Sequence, residues 1–295
     1  MKKFAPLAVL AAGTLWGFMG LFVRRLNAAG LSSIDVAQVR ITTGLLVVGL
    51  YLLCTRRDRF RVRPRDLWCF FGTGIVSLLL FSFCYFKAMT YASLSVAAVL
   101  LYTAPMFVML LSVLLFREKL TGKKILALLL AFFGCVLVSG LGSGAAVSTA
   151  GLLLGLGSGF FYALYSIFGR YAINRGYDSW TMTFYTFLFC AVGCVPFSNW
   201  GGIAATVSAD RALLLWILTL GVVTAFLPYL LYSLGLQYME SSKASILASI
   251  EPVVGTLVGT FVFHEKITGM GVAGILLVLC SIAVLSAHVR KRRKI

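Results

Sequence analysis

The chain has 295 residues, 60% hydrophobic and 12% charged, with a mean hydropathy of +0.97, a balance that excludes a soluble domain hiding its apolar residues in one core. Its net charge of +17 sits in short clusters between apolar runs, the pattern of a membrane protein's loops and not of a nucleic-acid-binding face.

Apolar runs long enough to cross about 30 Å of hydrocarbon fall at 4–23, 34–54, 67–88, 93–116, 124–141, 151–169, 180–198, 212–235, 244–263 and 269–288. The first follows Met1-Lys2-Lys3 as a signal peptide would, but it lacks a small-residue cleavage site before a polar mature domain. It also returns later in the chain: a shift of 146 pairs Gly13 with Gly159, Arg24 with Arg170, and Gly30 with Gly176. We therefore expect it to be the first membrane crossing.

A longer repeat fixes the organisation. The segment YASLSVAAVLLYTAPMFVMLLSVLLFREKLTG from Tyr91 and the segment YMESSKASILASIEPVVGTLVGTFVFHEKITG from Tyr238 align at a constant shift of 147. Pro105 pairs with Pro252, Glu118 with Glu265, and Lys119 with Lys266, without a gap. The chain thus reads as one unit used twice, 1–143 and 150–295, each with five crossings. An odd number per unit starts the second copy from the opposite side, which gives an all-α integral membrane protein of ten transmembrane helices in two inverted repeats.

The positive residues orient it. With the N-terminus inside, 20 of the 26 Lys and Arg lie in inner segments, chiefly Arg56–Arg65, Arg117–Lys124 and the C-terminal Arg290–Lys294, against four outside. Both termini are expected in the cytoplasm, in a cell or inner membrane. The linker Gly140–Gly151 is small, polar and uncharged, as a short outer loop would be. The basic tail reads as a topology signal, with anionic lipid as the other reading. Seven scattered cysteines give no disulfide framework, and Cys190 and Cys194, without His or acidic company, read as packing residues. No metal or other cofactor is expected.

In lipid, burial of apolar side chains does not draw helices together, so small and polar stripes mark close packing or a wet cavity. The fourth run carries Ser95, Tyr102 and Pro105 on one face, and the ninth carries Ser242, Ser245, Ser249 and Pro252 on the matching face. A proline within a helix frees the carbonyl four residues earlier, here Leu101 and Ala248. Such carbonyls need water, a hydroxyl or a ligand. Two symmetry-related kinks, Pro105 and Pro252, therefore mark a candidate substrate site and gate, with a packing kink as the bland alternative.

Glu251 is the one acid deep in an apolar run. It could hold a cationic group, take a proton during transport, or only lock helix packing. Lys87 and Arg40 lie nearer the ends of their runs, where they could snorkel outward or meet a substrate carboxylate. Tyr85, Tyr102, Tyr162 and Tyr232 lie on the polar stripes and could wall a cavity, while Trp16, Tyr165 and Tyr229 could join that wall or face lipid. The candidate substrate-binding set is Tyr85, Lys87, Tyr102, Pro105, Tyr162, Tyr232, Ser245, Ser249, Glu251 and Pro252.

Trp16-Gly17, Arg40, the Pro105 helix closing on Glu118-Lys119-Leu120-Thr121, and Ile250-Glu251-Pro252 closing on Glu265-Lys266-Ile267-Thr268 resemble the EamA family of the drug/metabolite transporter superfamily. The resemblance covers nearly the whole chain. It implies a central cavity lined by helices one to four and six to nine, with the fifth and tenth helices peripheral. It further implies a secondary transporter of small organic metabolites working by alternating access, an exporter of amino acids or related compounds, or an importer or exchanger of a choline-like amine. Expected partners are the substrate, the bilayer and, as coupling ion, protons, in a monomer or homodimer. No HExxH motif, Gly-rich phosphate loop or pair of acids placed for acid/base work supports an enzyme, and no carbonyl-lined filter supports a channel.

Overall fold

The structure, a computed structural model, describes residues 2–139 and 148–286. Most of the expected linker and the basic tail therefore lie outside the described residues. Within them there is no strand, and nine helical segments are long and apolar enough to cross a membrane: Ala5–Ala28, Ser33–Thr55, Pro64–Tyr91, Leu94–Phe116, Thr149–Asn174, Ser179–Phe197, Ala212–Tyr238, Ser241–Phe263 and Gly269–Ser286. The remaining expected crossing, the fifth, is Gly122–Val138, a helix of 17 residues, or roughly 25 Å at 1.5 Å per residue.

Short polar residues at the starts explain where the helices begin. Ser32 and Asp35 form a reciprocal capping box at the second crossing, while the side chains of Thr121, Ser148 and Asp178 accept backbone N–H groups at the fifth, sixth and seventh. The fifth crossing packs on the tenth through glycine. A Cβ on Gly134 would lie 2.8 Å from the Gly274 carbonyl oxygen, and one on Gly274 would lie 2.6 Å from that of Gly134. Small residues of this kind let two backbones approach where lipid supplies no hydrophobic drive.

The other crossings interleave the two repeats. The third and eighth each contain a π-helical stretch, Gly72–Leu79 and Gly221–Phe226, and each presents a glycine to the other repeat. Gly221 meets the Thr43 side chain of the second crossing, and Gly74 meets the Thr186 carbonyl of the seventh. The hydroxyls of Thr73 and Thr186 share a buried hydrogen bond of 2.6 Å.

The fourth and ninth crossings are broken, as their prolines require. The fourth comprises Leu94–Leu101 and Ala104–Phe116, the ninth Ser241–Ala248 and Glu251–Phe263. Pro105 and Pro252 are each the second residue of the later half, where a missing N–H is tolerated. The freed carbonyls of Leu101 and Ala248 each lie beside a glycine of the other repeat. A Cβ on Gly159 would come 3.2 Å from the Leu101 carbonyl oxygen, and one on Gly13 2.9 Å from that of Ala248. Each kink rests on the glycine of the other repeat's opening helix, because only a residue without Cβ lets a backbone come so near.

Polar contacts gather the loops into two faces. On the basic face, Arg59 pairs with Asp178 at 3.0 Å and Arg175 with Asp66 at 3.1 Å. On the opposite face, the Asn199 N–H donates to Asp35 at 2.8 Å, and Arg25 approaches Asp210 at 3.8 Å.

Candidate functional site

Between the faces lies a chamber of about 450 Å³, within the range of roughly 300–1,000 Å³ of small-molecule sites. Trp16, Met19 and Val23 of the first crossing, Ala37 and Arg40 of the second, and Phe81, Tyr85 and Met89 of the third form one side. Tyr102, Tyr162, Tyr229 and Glu251 close the other, so the fourth, sixth, eighth and ninth crossings all reach it. Arg24, Asn27 and Leu94, all exposed, stand at its mouth on the face opposite the basic loops.

Aromatic rings build the floor. Trp16 meets Tyr229 edge-on with centroids 5.2 Å apart, and Tyr229 in turn packs edge-on against Tyr165 at 5.2 Å and Phe187 at 5.3 Å. Edge-to-face pairs at this spacing add to what area burial alone contributes. Phe81 holds Tyr162 in the same way at 5.2 Å.

Toward the basic face a second space of about 30 Å³ shares Leu101, Tyr102, Tyr162 and Glu251 with the chamber and adds Pro105, Ser166, Tyr232, Ser245 and Ser249. It has room for about one water. Its tyrosine is fixed: the Tyr232 hydroxyl and Ser166 Oγ lie 2.8 Å apart.

Beyond that space the molecule is closed. Glu118, at the end of the fourth crossing, accepts from the backbone N–H of Ser241 at 2.8 Å and of Ser242 at 3.3 Å, and from the Ser242 hydroxyl. A carboxylate there satisfies orphan donors of the ninth crossing and complements the positive end of its dipole. Lys124 approaches both Glu118, at 3.5 Å, and Glu240, at 3.2 Å, and Arg170 donates to the Ser241 hydroxyl at 3.0 Å and to the Met239 carbonyl. Burial works against the charge on Glu240, but the ammonium groups of Lys243 and Lys124 outweigh it and hold its carboxyl below the usual carboxylate range.

Of the residues expected from the sequence, the structure brings Tyr85, Tyr102, Tyr162 and Glu251 to the chamber, and Tyr232, Ser245, Ser249 and Pro105 to the small space behind it. Pro252 is buried beside Glu251 but lines neither. Lys87 corrects the expectation: it is exposed and does not line the chamber. Residues 82, 85, 86 and 89 do line it; at 100° per residue they share a face from which position 87 turns away. Arg40 corrects it in the other direction. In place of snorkelling it is buried, 6% exposed, and lines the chamber. Glu118 was legible only as half of a repeated Glu-Lys motif, since its partners lie more than 120 positions further along the chain. Cys190 and Cys194 are buried, and no cluster able to hold a metal ion occurs among the described residues.

The chain is similar to known transporters along nearly its whole length. The EamA-like transporter family matches residues 3–140 and again residues 149–287. An uncharacterized transporter of Archaeoglobus fulgidus is 30% identical over 283 residues, covering 96% of each chain. A second from the same organism is 28% identical, over 99% of this chain and all of that one. The uncharacterized transporter YxxF of Bacillus subtilis is 23% identical across 88% of this chain and 82% of its own length. A crystal structure 19% identical in sequence superimposes with a TM-score of 0.79 over 97% of both chains, a likeness of fold. A chain that carries the family's match twice, around a chamber reached from seven of its described crossings, belongs to the EamA-like transporter family.

Proposed function

We propose that this transporter is a secondary carrier of small organic metabolites that works by alternating access and exports amino acids or related compounds across a cell or inner membrane. The basic face is the cytoplasmic one, and both termini lie on that side, because Lys and Arg are retained there. The observation that carries the reading is the chamber itself, open toward one face and separated from the other by the Glu118 closure. A carrier needs such a site, reached from one side at a time and built where two repeats meet. The breaks before Pro105 and Pro252 supply hinges at which the half-helices of the fourth and ninth crossings can reorient. Monomer and homodimer both serve this mechanism.

A second reading, import or exchange of an organic cation such as a choline-like amine, is favoured by one feature: Glu251 faces a chamber walled by Trp16, Tyr85, Tyr102 and Tyr229, and aromatic faces attract cations.

The test is flux from proteoliposomes loaded with a mixed amino-acid and amine pool. Efflux that saturates with solute concentration is expected; flux that rises linearly would make the protein a channel, and none at all a scaffold. Glu251 is also assigned the coupling proton, so Glu251→Gln is expected to flatten the dependence of flux on pH. An unchanged profile would remove it from that role.

A further inference from the structure

On the basic face, the loop between the second and third crossings meets the turn between the sixth and seventh around a recess of about 270 Å³. Arg59, Arg61, Arg63 and Arg175 line it, with two acids, Asp58 and Asp178. Both acids are engaged by Arg59, at 3.1 and 3.0 Å, and Arg175 is held by the buried Asp66 at 3.1 Å. With Asp66 counted, four arginines face three acids, so the recess keeps a net positive charge. The exposed guanidinium groups of Arg61 and Arg63 form no ion pair with any described residue.

Retention of positive charge on one side of a membrane accounts for the number of arginines in this loop but not for where they point. Arg56, Arg57 and Arg65 of the same loop do not line the recess, and Arg57 spends its Nε on the Leu53 carbonyl. The stretch that carries the other three is pinned by side chains at the start of the seventh crossing. The Thr181 hydroxyl donates to the Arg59 carbonyl at 3.0 Å and the Tyr185 hydroxyl to that of Phe60 at 2.7 Å. The Tyr177 hydroxyl accepts the Arg63 N–H at 3.1 Å and donates to Asp66 at 2.8 Å. A loop held in this way presents its arginines already placed, which lowers the ordering cost of binding. The equivalent stretch of the second repeat is instead a helix, Trp200–Ala209, without an arginine, so the fold does not impose the recess. Aromatic rings mark its depth: Arg175 lies 4.9 Å over Trp68, which is 41% exposed, and Trp180, next to the lining Thr181, stacks on the exposed Tyr51 at 4.4 Å. Trp and Tyr at the ends of crossings sit at the level of lipid headgroups.

We propose that the recess holds the phosphate of an anionic glycerophospholipid from the adjoining leaflet, with Arg61 and Arg63 as the groups that contact it. The planar arginine fork matches two phosphate oxygens at once, and basic pockets between crossings suit such headgroups. A phosphodiester with an uncharged glycerol headgroup supplies the negative charge that the recess lacks, whereas a choline headgroup brings an ammonium group that offsets it. The inference concerns the basic face and is independent of what the chamber carries.

The test follows thermal unfolding of the full-length protein in neutral detergent at constant ionic strength. The probes are phosphatidylglycerol and phosphatidylcholine, at equal mole fractions of the micelle, and sodium phosphate. Half of the stabilising shift is expected at a phosphatidylglycerol fraction at least about tenfold lower than for phosphatidylcholine. The double variant Arg61→Gln with Arg63→Gln is expected to bring the two lipids within about twofold of each other. Arg56→Gln with Arg57→Gln removes the same charge from the same loop outside the recess and is expected to leave the preference intact. Should the first double variant fail to fold, Arg61→Gln alone decides, and is expected to weaken phosphatidylglycerol binding about fivefold. The inference is overturned if the two lipids bind alike, if neither binds, or if the two double variants weaken binding equally, which would make the effect the diffuse field of the loop. Sodium phosphate that stabilises the protein where phosphatidylglycerol does not would assign the recess to a soluble phosphate and overturn the lipid.

Discussion

The C-terminal end of the fourth crossing and that of the ninth are the same piece of local structure in two different tertiary situations. Each helix ends on a non-glycine residue in the left-handed region, Arg117 with φ 54° and His264 with φ 56°. In each, the following glutamate N–H returns to the carbonyl six residues back, Glu118 to Ser112 at 3.2 Å and Glu265 to Gly259 at 3.1 Å, one residue wider than the 6→1 bond of a Schellman turn. The carboxylates then part ways. Glu118 is buried on the N-terminus of the ninth crossing, holding Ser241 and Ser242. Glu265 is half-exposed and pairs with Arg24 at 2.7 Å, while the N-terminus of the fourth crossing is capped only by its own Ser93, through a 3.3 Å bond from Val96. One end is latched and the other open, and the chamber opens at the unlatched end. The two repeats thus carry the same turn and the same glutamate, and only the Glu118 copy holds the opposite helix.

The comparison breaks most sharply at Glu118. Glu118→Ala removes the acceptor from three donors on the ninth crossing and is expected to lower unfolding stability by about 2–3 kcal/mol and to reduce flux at least as severely. Unchanged thermal unfolding of the purified variant would show that the latch contributes nothing. Gly13→Ala and Gly159→Ala press on the mirrored kink contacts, where the new Cβ would meet the Ala248 carbonyl oxygen at 2.9 Å and the Leu101 carbonyl oxygen at 3.2 Å. Each is expected to cost roughly 1–3 kcal/mol, and a harmless substitution at either would mean that the kinks can shift freely.

Glu265→Ala sharpens the contrast. An exposed ion pair contributes at most about 1 kcal/mol, so stability is expected to stay within that margin. Flux is nonetheless expected to fall several-fold if, as the proposed alternating access requires, Glu265 caps the fourth crossing in a second state as Glu118 caps the ninth in this one. Wild-type flux from Glu265→Ala would leave the chain with one latch instead of two. The smallest effect is expected from His264→Gly, which relieves a left-handed backbone at an exposed end and is expected to raise stability by about 0.5 kcal/mol; a loss would show that the imidazole has a partner worth more than the strain.

Much of this was written in the chain. The two copies, their constant register and the basic clusters were legible because membrane crossing, helix kinking and loop charge depend on residue type and near neighbours. Tyr85, Tyr102 and Tyr162 were legible for the same reason, since periodicity places them on polar faces. The two lysine and arginine candidates were not: at similar depth, Lys87 turns out and Arg40 turns in. Their direction depends on which helix lies alongside, and no local pattern records that.

The sequence by itself determined an all-helical membrane protein of two inverted five-helix units with kinks at Pro105 and Pro252, because each of these follows from hydrophobicity, backbone chemistry and repetition within a few tens of residues. Only the tertiary structure decided that the freed carbonyls rest on Gly13 and Gly159, that Glu118 is engaged while Glu265 is not, and that Arg40 and Glu251 share one chamber. Each of those outcomes joins residues more than 50 positions apart, and such meetings are set by how helices pack against one another rather than by anything a single helix carries.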